Sequence, residues 1–331
     1  MAGIPGAALR LAMAPSLDRV SFAARGFPGA TASAARHLET IPQTVVCGFE
    51  WGLETKTVAE TERRLEMIAP EVRGFAYEGA TMACVIRDAM RPGGKRTLEL
   101  LTGAGRPHIF LNYIGIGFAM ARLPRPLWRR VVPRPTDPEL YPQMNWLAVD
   151  GYGFDRAYFD TRKWIEGQYR PRPHPWEGDR EYFPRAVDQG VGRALWFVYG
   201  GRTDDVAAAV RRFAHDRRAD LWSGVGLAAT FAGGTDGAGP ERLRAEAGEH
   251  AGHLAQGAVF ALKARHRSGH IPSYTRATGR VLTGLDAEAA VELADAGAPA
   301  PGIGASGGVP GYERWRIAVR ERLTEFPAPS K

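Results

Sequence analysis

The chain has 331 residues, 44% of them hydrophobic, with 40 glycines and 24 prolines; this permits a large buried core and excludes a wholly disordered chain. Its formal charge of +7, from 43 basic and 36 acidic residues, is spread along the chain, so no nucleic-acid partner is expected. Cys47 and Cys84, the only two cysteines, lack CxxC spacing, which excludes a disulfide framework and points to a cytoplasmic protein.

In chain order, "MAGIPGAALRLAMAPS" falls short of a signal peptide, having one arginine and a brief apolar stretch. "VAETERRLEMIA" (58–69) reads as a helix. The most apolar segment, "IFLNYIGIGFAMA" (109–121), is much shorter than the roughly 20 residues a bilayer span requires, so no transmembrane segment is expected. "ARLPRPLWRRVVPRP" (121–135) concentrates arginines, but its prolines prevent one continuous basic helix, and it reads as a solvated connector. Residues 160–186, rich in proline and aromatics, form a long insertion of the kind that often carries function. Two helices are expected around 204–232, the first capped by Asp204, and Pro240 suits the opening turn of a further pair. A short helix over 286–297, a Gly/Pro/Ala linker (297–311) and a terminal basic helix follow, dividing the chain into a domain over 1–284 and an appendage over 285–331.

A motif recurs through most of this length. "YEGATMACVI", "YIGIGFAMAR", "VDGYGFDRAY", "DQGVGRALWF", "WSGVGLAATF" and "AQGAVFALKA" carry their first glycines at 79, 115, 151, 190, 224 and 257, spaced by 36, 36, 39, 34 and 33 residues. Such intervals suit helical hairpins. Four copies have a second glycine two positions on (Gly117, Gly153, Gly192 and Gly226), and five have alanine four positions after the first. In a helix, positions i and i+4 share a face, so small residues there let a neighbour approach closely. The third copy has Asp155 where that alanine would stand. "GVGRAL" and "GVGLAA" lack the third glycine of a dinucleotide-binding turn, and no GxxxxGK[ST] occurs. The expected fold is mainly α: a helical-hairpin repeat array, either a superhelix or an α/α toroid, with the long central insertion.

The residue before each first glycine is Glu78, Ile114, Asp150, Gln189, Ser223 and Gln256. In register, these form a file of mostly polar groups facing a groove or central cavity. Burial there raises carboxyl pKa values toward the range useful for proton transfer, which makes Glu78, Asp150 and Asp188 the candidate catalytic acids. Each of them can equally cap a helix or pair with Arg156, Arg193 or Arg217. Tyr77, Tyr113, Tyr152, Gln189, Arg193, Trp196 and Trp222 accompany the file as candidate substrate-binding residues, with Phe154 a further aromatic beside it. His250 with His253, and His266 with His270, have helical spacing, but nearby glycines blur the faces and no HExxH occurs, so no metal is assigned. No GxSxG is present, and no motif specifies a cofactor, which stays unknown.

"ARGFP", "RGFAYEGATMA", "YIGIGFAMARL", "DGYGFDRAYF", "DQGVGRALWFV" and "RRADLWSGVGLAATFAGG", between about residues 16 and 284, resemble an actinobacterial domain-of-unknown-function family that accompanies enediyne polyketide synthase gene clusters. The resemblance implies an accessory protein of enediyne biosynthesis acting on a linear polyene, or a polyyne derived from it, alongside other cassette proteins. It supplies no established catalytic residues; the family often has histidine where this chain has Asp155. "DQGVGRALW" is also similar to the Gln/Trp repeats of triterpene cyclases, whose DxDD acid motif is missing. Two functions follow as expectations. One is an enzyme that assists desaturation, isomerisation or cyclisation of a polyene in an apolar helical cavity; the other is a noncatalytic protein that sequesters the product or scaffolds other enzymes.

Overall fold

The computed structural model describes Arg10 and residues 16–91, 93–134, 143–235, 237–300 and 308–325. Among them the chain is mainly helical, with no strand. Fifteen α-helices follow in chain order: α1 (Ala35–Glu54), α2 (Val58–Leu65), α3 (Pro70–Met90), α4 (Arg96–Thr102), α5 (Ile109–Met120), α6 (Arg125–Val131), α7 (Asn145–Phe159), α8 (Phe183–Val198), α9 (Thr203–Arg212), α10 (His215–Ala232), α11 (Gly239–Ala247), α12 (Ala251–Arg267), α13 (Ser273–Thr283), α14 (Ala287–Ala296) and α15 (Gly311–Thr324).

Seven of these, α1, α3, α5, α7, α8, α10 and α12, pack side by side in chain order. They run parallel: from α7 to α8, Trp146 meets Tyr182, Asp150 meets Gln189 and Phe154 meets Phe197, so the partners advance together along both helices. The shorter α2, α4, α6, α9 and α11 lie in the returns between them. α5 has no polar face; all twelve of its residues are buried. Among the described residues no helix is long and apolar enough to cross a membrane.

Glycine sets the spacing, with a fixed register. A Cβ on the first glycine of a motif would overlap the carbonyl oxygen of the residue just before the first glycine of the preceding motif: Gly115 on Glu78, Gly151 on Ile114, Gly190 on Asp150, Gly224 on Gln189 and Gly257 on Ser223. The second glycine touches the following helix instead: Gly117 on Ala148, Gly153 on Val187, Gly192 on Leu221 and Gly226 on Leu254. Two residues turn an α-helix by about 200°. Gly-x-Gly therefore presents bare backbone on opposite faces, as a helix held between two neighbours requires. The i, i+4 stripe expected from Gly-x-x-x-Ala is the lesser device, although the Ala83 methyl does pack against Gly52.

The same register discloses a further copy in α1. Gly48 lies on the carbonyl of Ala76, three residues before Gly79, as a second glycine does, and Gly79 lies on the carbonyl of Val45. Val46 therefore occupies the first-glycine position.

Several local expectations take a different form. α9 is preceded by Arg202, with Asp204 in its first turn rather than at the cap. Asp286 does cap α14, accepting from the amide of Ala289 at 2.8 Å, and Pro240 stands in the first turn of α11. In the basic connector, α6 buries Trp128, whose indole N–H donates to the carbonyls of Met120 and Leu123; positions 135–142 lie outside the described residues. Residues 160–182 contain a π-helical turn, Arg162–Glu166, and irregular backbone.

Candidate functional site

The seven long helices face a shared interior whose two ends differ. One end is filled by α15. Its Tyr312, Glu313, Trp315 and Arg316 are buried, with Trp315 against Phe260 and Phe110 and its indole N–H on the carbonyl of Ala294. Arg316 is fully buried among Asp220, Glu313 and the hydroxyl of Tyr182, at 2.8, 2.7 and 2.8 Å. Arg185 reaches Asp220 and Glu313 from the side. Burial opposes ionisation of Glu313, yet Arg316, Arg185 and Arg320 hold its pKa down at about 2.

The other end is a cavity of about 610 Å3. Its walls are apolar: Ile41, Val45 and Phe49 from α1, Phe75 and Met82 from α3, Phe118 from α5, Phe154 from α7, Phe197 from α8, and Leu227 and Phe231 from α10. Exposed Asp18, Arg19, Ala24 and Arg122 stand at its rim, with the partly buried Arg25 beside them. Arg25 donates to the carbonyls of Tyr158 and Phe159, where α7 ends. Arg122 pairs with Asp155, so that aspartate is held in the cavity wall by a cation.

Glu78 is the acid deepest among the apolar wall residues. It is only 4% exposed yet lines the cavity, and among the described residues it makes no hydrogen bond or ion pair. Burial pushes its pKa up to about 8, with Arg193 lowering and Asp150 raising it. At neutral pH the carboxyl is therefore mostly protonated, a proton donor among largely apolar walls.

Asp150 lies behind it. Arg193 Nε stands 2.8 Å from one carboxylate oxygen and Gln189 donates to the other at 2.7 Å. Burial pushes Asp150 up against these two partners. Gln189 also contacts the hydroxyl of Tyr312 at 2.8 Å, which joins the cavity floor to the α15 end. Ser223 donates to Gln256, which accepts from Arg316 as well. Of the file read from the motifs, Glu78 alone is among the cavity's lining residues; Asp150 and Gln189 bond to each other, as do Ser223 and Gln256.

The remaining candidates lie elsewhere. Asp188 forms a two-point ion pair with Arg217, at 2.6 and 3.0 Å, and Arg217 also donates to the carbonyls of Gln168 and Tyr169. Burial raises Asp188 to about 6 against that pairing. The pair ties the irregular 160–182 segment to α8 and α10. Tyr77 stacks on His108 and donates to Glu66; Tyr152 packs between Trp128 and Trp164; Trp196 donates to the carbonyl of Gly233. Tyr113 and Trp222 are buried. Of the proposed substrate-binding residues, Arg193 alone is among the cavity's lining residues. Of the wall phenylalanines, Phe154 is the one motif aromatic expected beside the file; the others were missed, because the remaining motif aromatics lie on different helix faces. Their signal was present: Phe118, Phe154 and Leu227 each stand three residues after a first glycine.

A family model described as "Protein of unknown function (DUF1702)" matches residues 5–323. No curated protein and no solved structure matches the chain significantly.

Proposed function

The chain belongs to the DUF1702 family of proteins of unknown function, and we propose that it is an enzyme that takes a long conjugated hydrocarbon chain into the apolar cavity and rearranges it by proton transfer at Glu78. The observation that carries this reading is a buried, unpartnered carboxyl facing an aromatic-lined space. In the proposed step the Glu78 O–H bond breaks as a C–H bond forms on the polyene, leaving a delocalised cation and a carboxylate. The carboxylate then removes a proton from another carbon, so the double bonds shift with no net oxidation. If a remote double bond attacks the cation first, the same two proton movements give a ring. Phe49, Phe75, Phe118, Phe154 and Phe231 offer aromatic faces to the cation. Desaturation would additionally require an electron acceptor, of a kind the chain's motifs do not specify.

The resemblance to a family that accompanies enediyne polyketide synthases supports a linear polyene or derived polyyne as the substrate class, with neighbouring cassette proteins as partners in the cytoplasm. The recurring glycine register supports a helical-hairpin array, open rather than closed: Val46 in the first copy and Val259 in the last replace the glycine that would face a missing neighbour.

The test is incubation of the purified protein with the synthase's released polyene, with and without the cassette proteins, following mass and absorbance. Conversion that Glu78→Gln abolishes while binding persists is expected. Ala228→Trp, which fills the cavity from its wall, is expected to weaken binding at least tenfold. Tight binding with no conversion under any combination would replace catalysis with sequestration.

A further inference from the structure

At the end of the interior opposite the cavity, three metal-ligating side chains meet. His215 is the first residue of α10, and Glu249 and His250 stand in the 3-10 turn Gly248–His250 that leads into α12. The Glu249 carboxylate oxygen lies 3.0 Å from His215 Nε2 and 3.7 Å from His250 Nε2, and all three ligand atoms fall within 4.8 Å of one another. Bonds of about 2.0–2.1 Å to a tetrahedral zinc ion place adjacent ligand atoms about 3.3 Å apart. The two separations bracket that spacing, so an ion can enter with small side-chain rotations.

A second observation concerns His250 alone. Its Nε2 is shielded from solvent and has no hydrogen-bond partner among the described residues. A buried polar atom left unsatisfied is costly, and a cation between this nitrogen and the carboxylate oxygen 3.7 Å away would satisfy both. Arg218, whose charge also reaches Glu249 and His250, does not fill that place; it donates to the carbonyls of Phe213 and Arg211 at 2.9 and 2.7 Å.

We propose that His215, Glu249 and His250 bind a divalent transition ion, zinc first among them, which fastens together the amino-terminal ends of α10 and α12. Two imidazoles and one carboxylate are a donor set suited to zinc, with solvent completing the four-coordinate shell through the exposed His215 and Glu249 side. His253, paired with His250 by sequence spacing, is not in this cluster; His215, from the preceding long helix, supplies the second imidazole, its ring 5.7 Å from that of His250. This inference stands apart from the reading of the Glu78 cavity and can fail or hold without it.

Untagged, chelator-stripped protein is titrated with zinc chloride by calorimetry and with cobalt chloride by visible absorption. One saturable equivalent of zinc is expected, with the intense absorption of four-coordinate cobalt and a higher melting temperature on binding. His215→Ala and Glu249→Gln, both at exposed positions, are expected to weaken zinc at least tenfold, and His266→Ala, an exposed histidine elsewhere, to leave it unchanged. The absence of saturable zinc binding, unchanged affinity in His215→Ala, or the weak spectrum of six-coordinate cobalt would each overturn the site.

Discussion

Arg193, which itself lines the cavity, stands 2.8 Å from Asp150 and pairs with it, so the neighbouring carboxyl, Glu78, is left facing the cavity without a counterion of its own. Two buried acids share one guanidinium, and the geometry assigns it to Asp150. This division makes Glu78 the proton carrier and Asp150 part of the frame.

The division has a signature in stability. The folded protein keeps the Glu78 proton up to about pH 8, whereas an ordinary glutamate, and so the unfolded chain, releases it near 4.5. Its contribution is therefore fully present below the unfolded value and is lost as pH rises through the folded one. Denaturant melts of the native protein and Glu78→Gln across that range should show a downward slope in the native protein that the amide variant lacks. Below about pH 4.5, where Glu78 is neutral in both the folded and the unfolded chain, the variant should be about as stable as the native protein, and by neutral pH it should be the more stable of the two. Parallel slopes would mean that Glu78 is ionised in the folded protein.

Glycine at the helix contacts should be intolerant of a single methyl group. Gly190→Ala drives a Cβ onto the carbonyl of Asp150 and the amide of Phe154, and is expected to cost on the order of 2–3 kcal/mol or to displace α8 from α7. Gly252→Ala, in the first turn of α12 with open space around it, should be neutral or stabilise by up to about 1 kcal/mol through helix propensity. Thermal and denaturant unfolding of the two variants provides the comparison; equal effects would refute the contact register as the determinant of spacing.

Acid should loosen the α15 end first. With its folded pKa held at about 2 by three arginines, Glu313 contributes stability that is present above its ordinary 4.5 and is lost as pH falls toward 2. Trp315 is buried on the same helix against Phe260, so its fluorescence should report any loosening of α15, and Glu313→Gln should show the altered emission already at neutral pH. An unchanged spectrum in that variant would show that the arginine cluster does not hold α15 in place.

Much of the helical content and the recurring glycines were legible because both leave local patterns. The α1 copy was missed for a physical reason: an outermost helix has one neighbour and keeps one glycine, Gly48, so the paired signature disappears. Glu78 and Asp150 were legible as acids beside a close contact and Arg193 as a candidate partner, but the spacing carries no sign of which acid it joins. Asp188 looked equivalent until its helix face placed it against Arg217. The role of α15 was illegible, since Tyr182–Glu313 and Gln189–Tyr312 join residues more than 100 positions apart. The aromatic neighbours of the glycines misled because a shift of one position turns a helical side chain by about 100°. Tyr77, next to Glu78, consequently packs on His108.

Solvent-deuterium incorporation tests the central claim most directly. The protein and Glu78→Gln are incubated with the linear conjugated polyene in heavy water, and the recovered hydrocarbon is weighed by mass spectrometry. Proton delivery by Glu78 followed by proton loss predicts deuterium on carbon in the native reaction and none with the variant, although both bind the polyene. A polyene that binds and returns unlabelled from the native protein, or is labelled equally by the variant, would contradict it.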